Sequence, residues 1–208
     1  MPIGIESFHD DIRSVLKKYN SSFVSPEDID FAINKSCLDI LLEIIEKHEN
    51  TSERYMVDQE LLVLHEFSGD AIVRTLPSDV FKASSVFTGN YEGDILPDTE
   101  FNDRLNSVIM PPIATRPIAT IYKTSGGNNT IEIVPSSDSH KLKYWKVPTK
   151  CNYAYTEANG VVSYTATGSV DIDFPQSQYT KLFNRTLTYL APSAKDPDAA
   201  VLEQNILR

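Results

Sequence analysis

Ile118-Ala119-Thr120-Ile121-Tyr122-Lys123, Thr130-Ile131-Glu132-Ile133-Val134 and Lys141-Leu142-Lys143-Tyr144-Trp145-Lys146-Val147 stand between Pro117 and Pro148, and their reading decides the fold. They predict a three-strand meander. Ile131 and Ile133 share one face while Glu132 takes the other; Leu142, Tyr144 and Lys146 face away from Lys141, Lys143 and Trp145, as a period of two requires. The run Ser125-Gly126-Gly127-Asn128-Asn129 supplies residues that tolerate positive φ, which a tight hairpin needs. Pro135 and Pro148 stop strands, because proline has no N–H to give to a ladder. No residue of this stretch suggests catalysis. It reads as scaffold, with one apolar face for a β core and a lysine-bearing edge for a subunit contact.

On the N-terminal side, Ile5, Phe8, Ile12, Val15, Leu16 and Tyr19 recur at helical spacing and predict a helix over about 5–19. A second helix opens at Ser25 as N-cap, with Pro26 at the first turn and Asp28 facing the unpaired amides. Its stripe is Ile29, Ile33, Cys37, Ile40, Leu41, Ile44 and Ile45. A third helix is expected from Glu53 to about His65, broken by Ser68-Gly69-Asp70. From Ile72 the composition turns to β, with strands at 72–76, 84–88 and 95–96, then a helical turn over 98–108 with Phe101, Leu105 and Val108 on one side. Pro111, Pro112 and Pro117 predict an extended connection into the meander. Beyond it lie a hairpin around Ala158-Asn159-Gly160, an alternating strand Val170–Phe174, and a helix opened by Pro175 and closed by Pro192. Asp196-Pro197 starts a last helix, with Val201, Leu202, Ile206 and Leu207 on its apolar side; at about ten residues it needs something to dock on. The expected fold is α+β: an N-terminal helical hairpin or bundle (1–70), a central antiparallel β-sandwich or partly open barrel (71–174), a helix packing on the body (175–191) and a C-terminal docking segment (192–208).

Composition narrows the function. The 208 residues carry a net charge of -10, which argues against a general nucleic-acid binder. Residues 1–70 hold fifteen acids against six bases, whereas residues 111–150 hold two acids against six bases. Opposite patches of this kind suit a head-to-tail contact between copies, with Lys141, Lys143, Lys146 and Lys150 on the basic side. A mean hydropathy of -0.26, with no apolar run of about 20 residues, predicts no membrane span. Met1-Pro2-Ile3-Gly4-Ile5-Glu6 lacks the basic and apolar regions of a secretion signal. Cys37 and Cys151 read as reduced, buried thiols. His9, His48, His65 and His140 are isolated, without metal-ligand spacing. Asp171 and Asp173 share a strand face, but no third oxygen ligand accompanies them. Neither a phosphate loop nor a nucleophile elbow is present. The expectation is a binding or assembly protein, not an enzyme, without metal or cofactor.

A set of segments, in order, resembles virion structural proteins of crAss-like and related Bacteroidetes phages, the family of head–tail connector (adaptor) and tail-barrel ring proteins. The pieces are Ser25-Pro26-Glu27 with Asn34-Lys35-Ser36; Leu76-Pro77-Ser78-Asp79 with Ala83-Ser84-Ser85-Val86; and Asp103-Arg104-Leu105-Asn106-Ser107. They continue with Arg116-Pro117-Ile118; Ile131-Glu132-Ile133-Val134-Pro135-Ser136; Tyr144-Trp145-Lys146-Val147-Pro148; and Phe174-Pro175 leading to Lys195-Asp196-Pro197. The resemblance implies a non-enzymatic subunit of a ring, dodecameric to match a portal, in the virion at the head–tail junction or in the tail and assembled in the host cytoplasm. Its implied partners are itself, the portal and adjacent tail or ring proteins, with genomic DNA as passing cargo and no membrane. The candidate interface residues are Lys141, Lys143, Lys146 and Lys150, with Val201, Leu202, Ile206 and Leu207 of the tail. The acidic helices would border the DNA channel, where they repel phosphate. A receptor- or glycan-binding β module of a phage tail is the alternative, with Tyr153, Tyr155 and Tyr164 as an aromatic platform.

Overall fold

A computed structural model describes residues 2–18, 24–50, 61–127, 129–158 and 161–191. Within these residues the fold is α+β: four α-helices, a curled seven-stranded mixed sheet that forms a half-barrel, and a two-stranded sheet. The chain divides into two units, one made of residues 1–57 and 148–208 and the other of residues 58–147. Both boundaries differ from those the sequence suggests. The β unit begins before residue 71 because an early strand joins its ladder, and it ends at Val147 because the chain then returns to the helices.

In the discontinuous unit, α1 (Ile5–Lys18), α2 (Pro26–Asn50) and α4 (Tyr179–Leu190) supply the core. The start of α2 follows its sequence signals. Ser25 Oγ accepts the Asp28 N–H at 3.1 Å and donates to the Asp28 carboxylate at 2.8 Å, satisfying an amide that the helix itself leaves unpaired. The stripe Ile29, Ile33, Cys37, Ile40, Leu41, Ile44 and Ile45 is buried throughout. Phe8 of α1 meets Tyr179 and Phe183 edge-on, with centroids 5.3 and 5.9 Å apart, a favoured ring geometry. Thr186 of α4 donates to Ser36 Oγ of α2 at 3.3 Å, and Arg185 and Lys181 both reach Glu43. A 3-10 turn at Gln176–Gln178 precedes α4, directly after Pro175. The expected strand Val170–Phe174 is not one: it makes only isolated bridges, Asn152 with Val170 and Ile3 with Ile172. The hairpin β8 (Tyr155–Ala158) with β9 (Val161–Tyr164) forms as its turn residues suggest.

The sheet unit contains β1 (Leu62–Glu66), β2 (Val73–Thr75), β3 (Val80–Thr88), β4 (Tyr91–Ile95), α3 (Asp98–Leu105), β5 (Ile118–Lys123), β6 (Asn129–Val134) and β7 (His140–Lys146). Their order across the sheet is β1-β7-β3-β4-β5-β6-β2. Three expectations change. The third helix, over its described part, is strand β1, because Leu62–Glu66 pairs residue by residue with Trp145–Lys141, and ladder formation overrides weak helical propensity; residues 53–60 lie outside the described residues. The meander is a hairpin plus a distant strand: β5 pairs β6, but β7 lies between β1 and β3. The lysine-bearing strand is therefore interior, and the sheet edges are β1 and β2. Nor is the sheet wholly antiparallel or a sandwich, since β4 and β5 run parallel, joined through α3, and parallel neighbours need such a crossover.

That parallel pair explains one glycine. A Cβ at Gly93 would sit 2.0 Å from the Pro117 carbonyl oxygen, so only glycine lets the two backbones approach. The strand faces themselves follow the sequence. Val86, Ala119, Ile131, Ile133, Leu142 and Tyr144 form the apolar cluster with Phe67 and Leu76. Trp145, on the opposite face of β7, is buried as well. Arg74 is buried beside them and donates to the carbonyls of Ser68, Gly69 and Ser137 at 2.5–3.0 Å, so one guanidinium satisfies three backbone acceptors.

Candidate interaction surfaces

The residues after α3 are the most exposed apolar side chains described. The helix stops at Leu105, and Asn106 leaves helical geometry at φ -93, ψ 3. Ser107 Oγ then accepts the Met110 N–H at 3.0 Å, and the Arg104 guanidinium reaches Met110 Sδ at 3.7 Å. Further on, the Arg116 N–H donates to the Ile113 carbonyl at 2.8 Å, closing a second turn. Between these ties Val108 and Ile109 are 95% and 91% exposed, with Met110 and Ile113 also exposed. The turn is shaped by its hydrogen bonds and holds its apolar tip in water. A cleft of about 80 Å³ at its base is lined by Glu92, Asp94, Arg104, Met110 and Arg116. Sequence reading placed Val108 on the same side as Phe101. Phe101 is buried, but the helix ends a turn too early to carry Val108 with it. The available signal was Val108-Ile109-Met110 ahead of Pro111-Pro112, an apolar run that fits neither a helical nor a strand period.

The four lysines separate. Lys141 and Lys143 share a face of β7 with the buried Trp145, and stand half-buried opposite Glu66 and Leu64 of β1. Lys141 pairs with Glu66 at 2.5 Å, which holds the Glu66 carboxyl below its ordinary range. Leu64 beside them is 52% exposed. Lys146 falls on the other face by strand alternation, with Leu142 and Tyr144, and Lys150 lies past the strand in the helical unit. Val201, Leu202, Ile206 and Leu207 lie outside the described residues. On α2, Phe31, Leu38 and Leu42 are exposed off the buried stripe, Phe31 at 72%.

Several of the remaining candidate groups hold the helical unit together. Asp30 accepts from His9 Nε2 at 2.8 Å and from the Tyr153 N–H at 2.8 Å, and the His9 ring stacks on Tyr153 with centroids 4.2 Å apart. Asp171 accepts the Ile5 N–H at 3.0 Å, capping α1, and Asp173 accepts from the Thr149 hydroxyl at 3.0 Å. The Asp pair is thus engaged with backbone and hydroxyl donors. Among the described residues, no three His, Cys, Asp or Glu side chains gather as a metal site requires. Cys37 and Cys151 are buried and unbridged; burial pushes the Cys37 thiol up to about 12 and raises Cys151 as well, so neither is a ready nucleophile. Of the three tyrosines expected to form a platform, Tyr153 is buried while Tyr155 and Tyr164 are half-buried. Tyr153 is buried under Arg13, whose guanidinium lies 5.0 Å from the ring centroid, and the Tyr155 hydroxyl donates to Glu27 at 2.5 Å. His140, buried against Thr88 at 3.0 Å, is held below its ordinary value by desolvation and by the Arg74 charge.

A scan against protein-family models returns no match, and a search of curated proteins returns none either. No described helix is long and apolar enough to cross a membrane.

Proposed function

We propose that this chain is a virion structural subunit that assembles into an oligomeric ring in a phage head–tail connector or tail barrel, joining portal to tail and surrounding the DNA channel. The observation that carries the reading is the apolar tip at Val108 and Ile109, held outward by hydrogen-bonded turns. Apolar side chains exposed to that degree are unfavourable in water, which supports the reading of a surface that a partner covers. The net charge of -10 supports the same reading, because an acidic wall lets DNA pass without binding its phosphates.

The test is native mass spectrometry and negative-stain electron microscopy of the purified protein, alone and mixed with a portal. A closed ring of one copy number, twelve if it matches the portal, is the expected result. A monomer under both conditions sinks the reading.

A further inference from the structure

We infer that the turn 107–113 of one copy docks on the sheet edge of the next copy, where β1 carries the exposed Leu64 beside Lys141 and Lys143 of β7, setting Val108 and Ile109 against Leu64 and Lys143. The inference rests on the ring reading and names its contact.

Two features of the sheet unit are complementary in both polarity and charge. The donor side is the apolar tip, carried on a segment, residues 92–116, that holds five acids, Glu92, Asp94, Asp98, Glu100 and Asp103, against Arg104 and Arg116. The acceptor side offers an exposed leucine, Leu64, set directly across from Lys143, with Lys141 and Lys82 against a single carboxylate, Glu66. Lys143 carries its charge on a half-buried stem next to Leu64, so it can cover apolar surface and still face an acid. The excess of acids on the segment that bears the tip disfavours an anionic membrane as the occupant and favours a basic partner surface. The same chain supplies such a surface.

The two patches also sit at different places in the sheet. The tip follows α3, between β4 and β5, whereas Leu64 lies on the edge strand β1. A contact joining unlike patches is heterologous, and repeated copies then close a ring or continue as a filament. Because both patches belong to residues 58–147, the contact depends on the sheet unit alone. The hydrogen-bonded turn is already shaped, so little conformational freedom is lost when it docks.

Cross-linking tests the contact directly. Cys37 and Cys151 are buried and slow to oxidise, so cysteines introduced at exposed sites report alone. Under mild oxidation, the double variant Leu64→Cys/Val108→Cys should give a ladder of disulfide-linked multimers, and each single variant should stay monomeric on a non-reducing gel. V108D/I109D, placed at exposed positions that folding does not need, should weaken self-association by at least about thirtyfold in sedimentation velocity. Lys143→Glu should weaken it by about tenfold, with less salt dependence than the parent.

Dimers from Val108→Cys alone would mean that the tip meets itself and would overturn the contact. A ring that persists in V108D/I109D, with no ladder from the double cysteine variant, overturns the contact and leaves the ring reading standing. A wild-type chain that stays monomeric, with no ladder and no ring on a portal, overturns both. Co-flotation with phosphatidylcholine–phosphatidylglycerol vesicles that disappears in V108D/I109D would assign the tip to lipid and overturn the contact as well.

Discussion

The two units are held together by different means. In the sheet unit the backbone ladder and one apolar cluster bring distant residues together: Leu142 opposes His65 and Val86, and Ile133 opposes Ala119. In the helical unit, side chains perform the joining that a ladder performs elsewhere. Asn34 donates to the Cys151 carbonyl at 3.1 Å and accepts the Cys151 N–H at 2.9 Å, standing in for a strand neighbour. Asp30 takes the Tyr153 N–H one helical turn earlier, and Asp171 takes the N–H of Ile5. An extended segment beside helices has no ladder partner, so its buried amides must be met by side chains. A few polar residues of α2 therefore contribute to stability alongside the core apolar ones.

The single tryptophan, Trp145, is buried in the sheet unit, whereas the three long helices lie in the other unit. Tryptophan fluorescence and far-ultraviolet ellipticity at the helical minimum thus read the two units separately in one urea titration. The largest effect is expected from Leu142→Ala, which empties a fully buried site and should cost about 3 kcal/mol, seen in the Trp145 transition. Asn34→Ala should come next, at about 2 kcal/mol in the helical signal, because it strands both backbone groups of Cys151. If Asn34→Ala costs no more than an ordinary surface change, the contrast between the units is lost.

Ser25→Ala should remove about 1 kcal/mol by uncapping α2, again in the helical signal. A smaller and purely pH-dependent effect belongs to the sheet unit. The fold lowers the His140 value, by burial and by the Arg74 charge, so the unfolded chain binds the proton more readily. Its contribution is fully present above the ordinary imidazole value of about 6.5 and is lost as pH falls from there toward the folded value. The Trp145 midpoint should fall over that range, and His140→Gln should flatten the slope. A profile equally steep in His140→Gln would exclude this histidine as the cause. Phe31→Ser should change stability by less than about 0.5 kcal/mol, because the ring is mostly in water.

Much of the local structure is written in periodicity. The α2 cap at Ser25, the α2 stripe, the alternation Ile131-Glu132-Ile133 and the start of α4 after Pro175 could all be read from residue type and spacing, because each depends on neighbours within a turn or a strand. The candidate surface was less legible. Lys141 and Lys143 do share a face, but Lys146 and Lys150 do not join them, and the helical spacing over 98–108 assigns Val108 to a helix that ends at Leu105.

What the sequence determined by itself is therefore the identity and facing of the elements, since those follow from a repeat of 3.6 or 2 along one segment. Tertiary structure alone decided which elements became neighbours. It set β7 between β1 and β3, made 62–66 a strand, joined β4 to β5 in parallel across Gly93, and tied Asn34 to Cys151. Those pairings join residues far apart in the chain, and only the competition among all available ladders and buried amides selects among them.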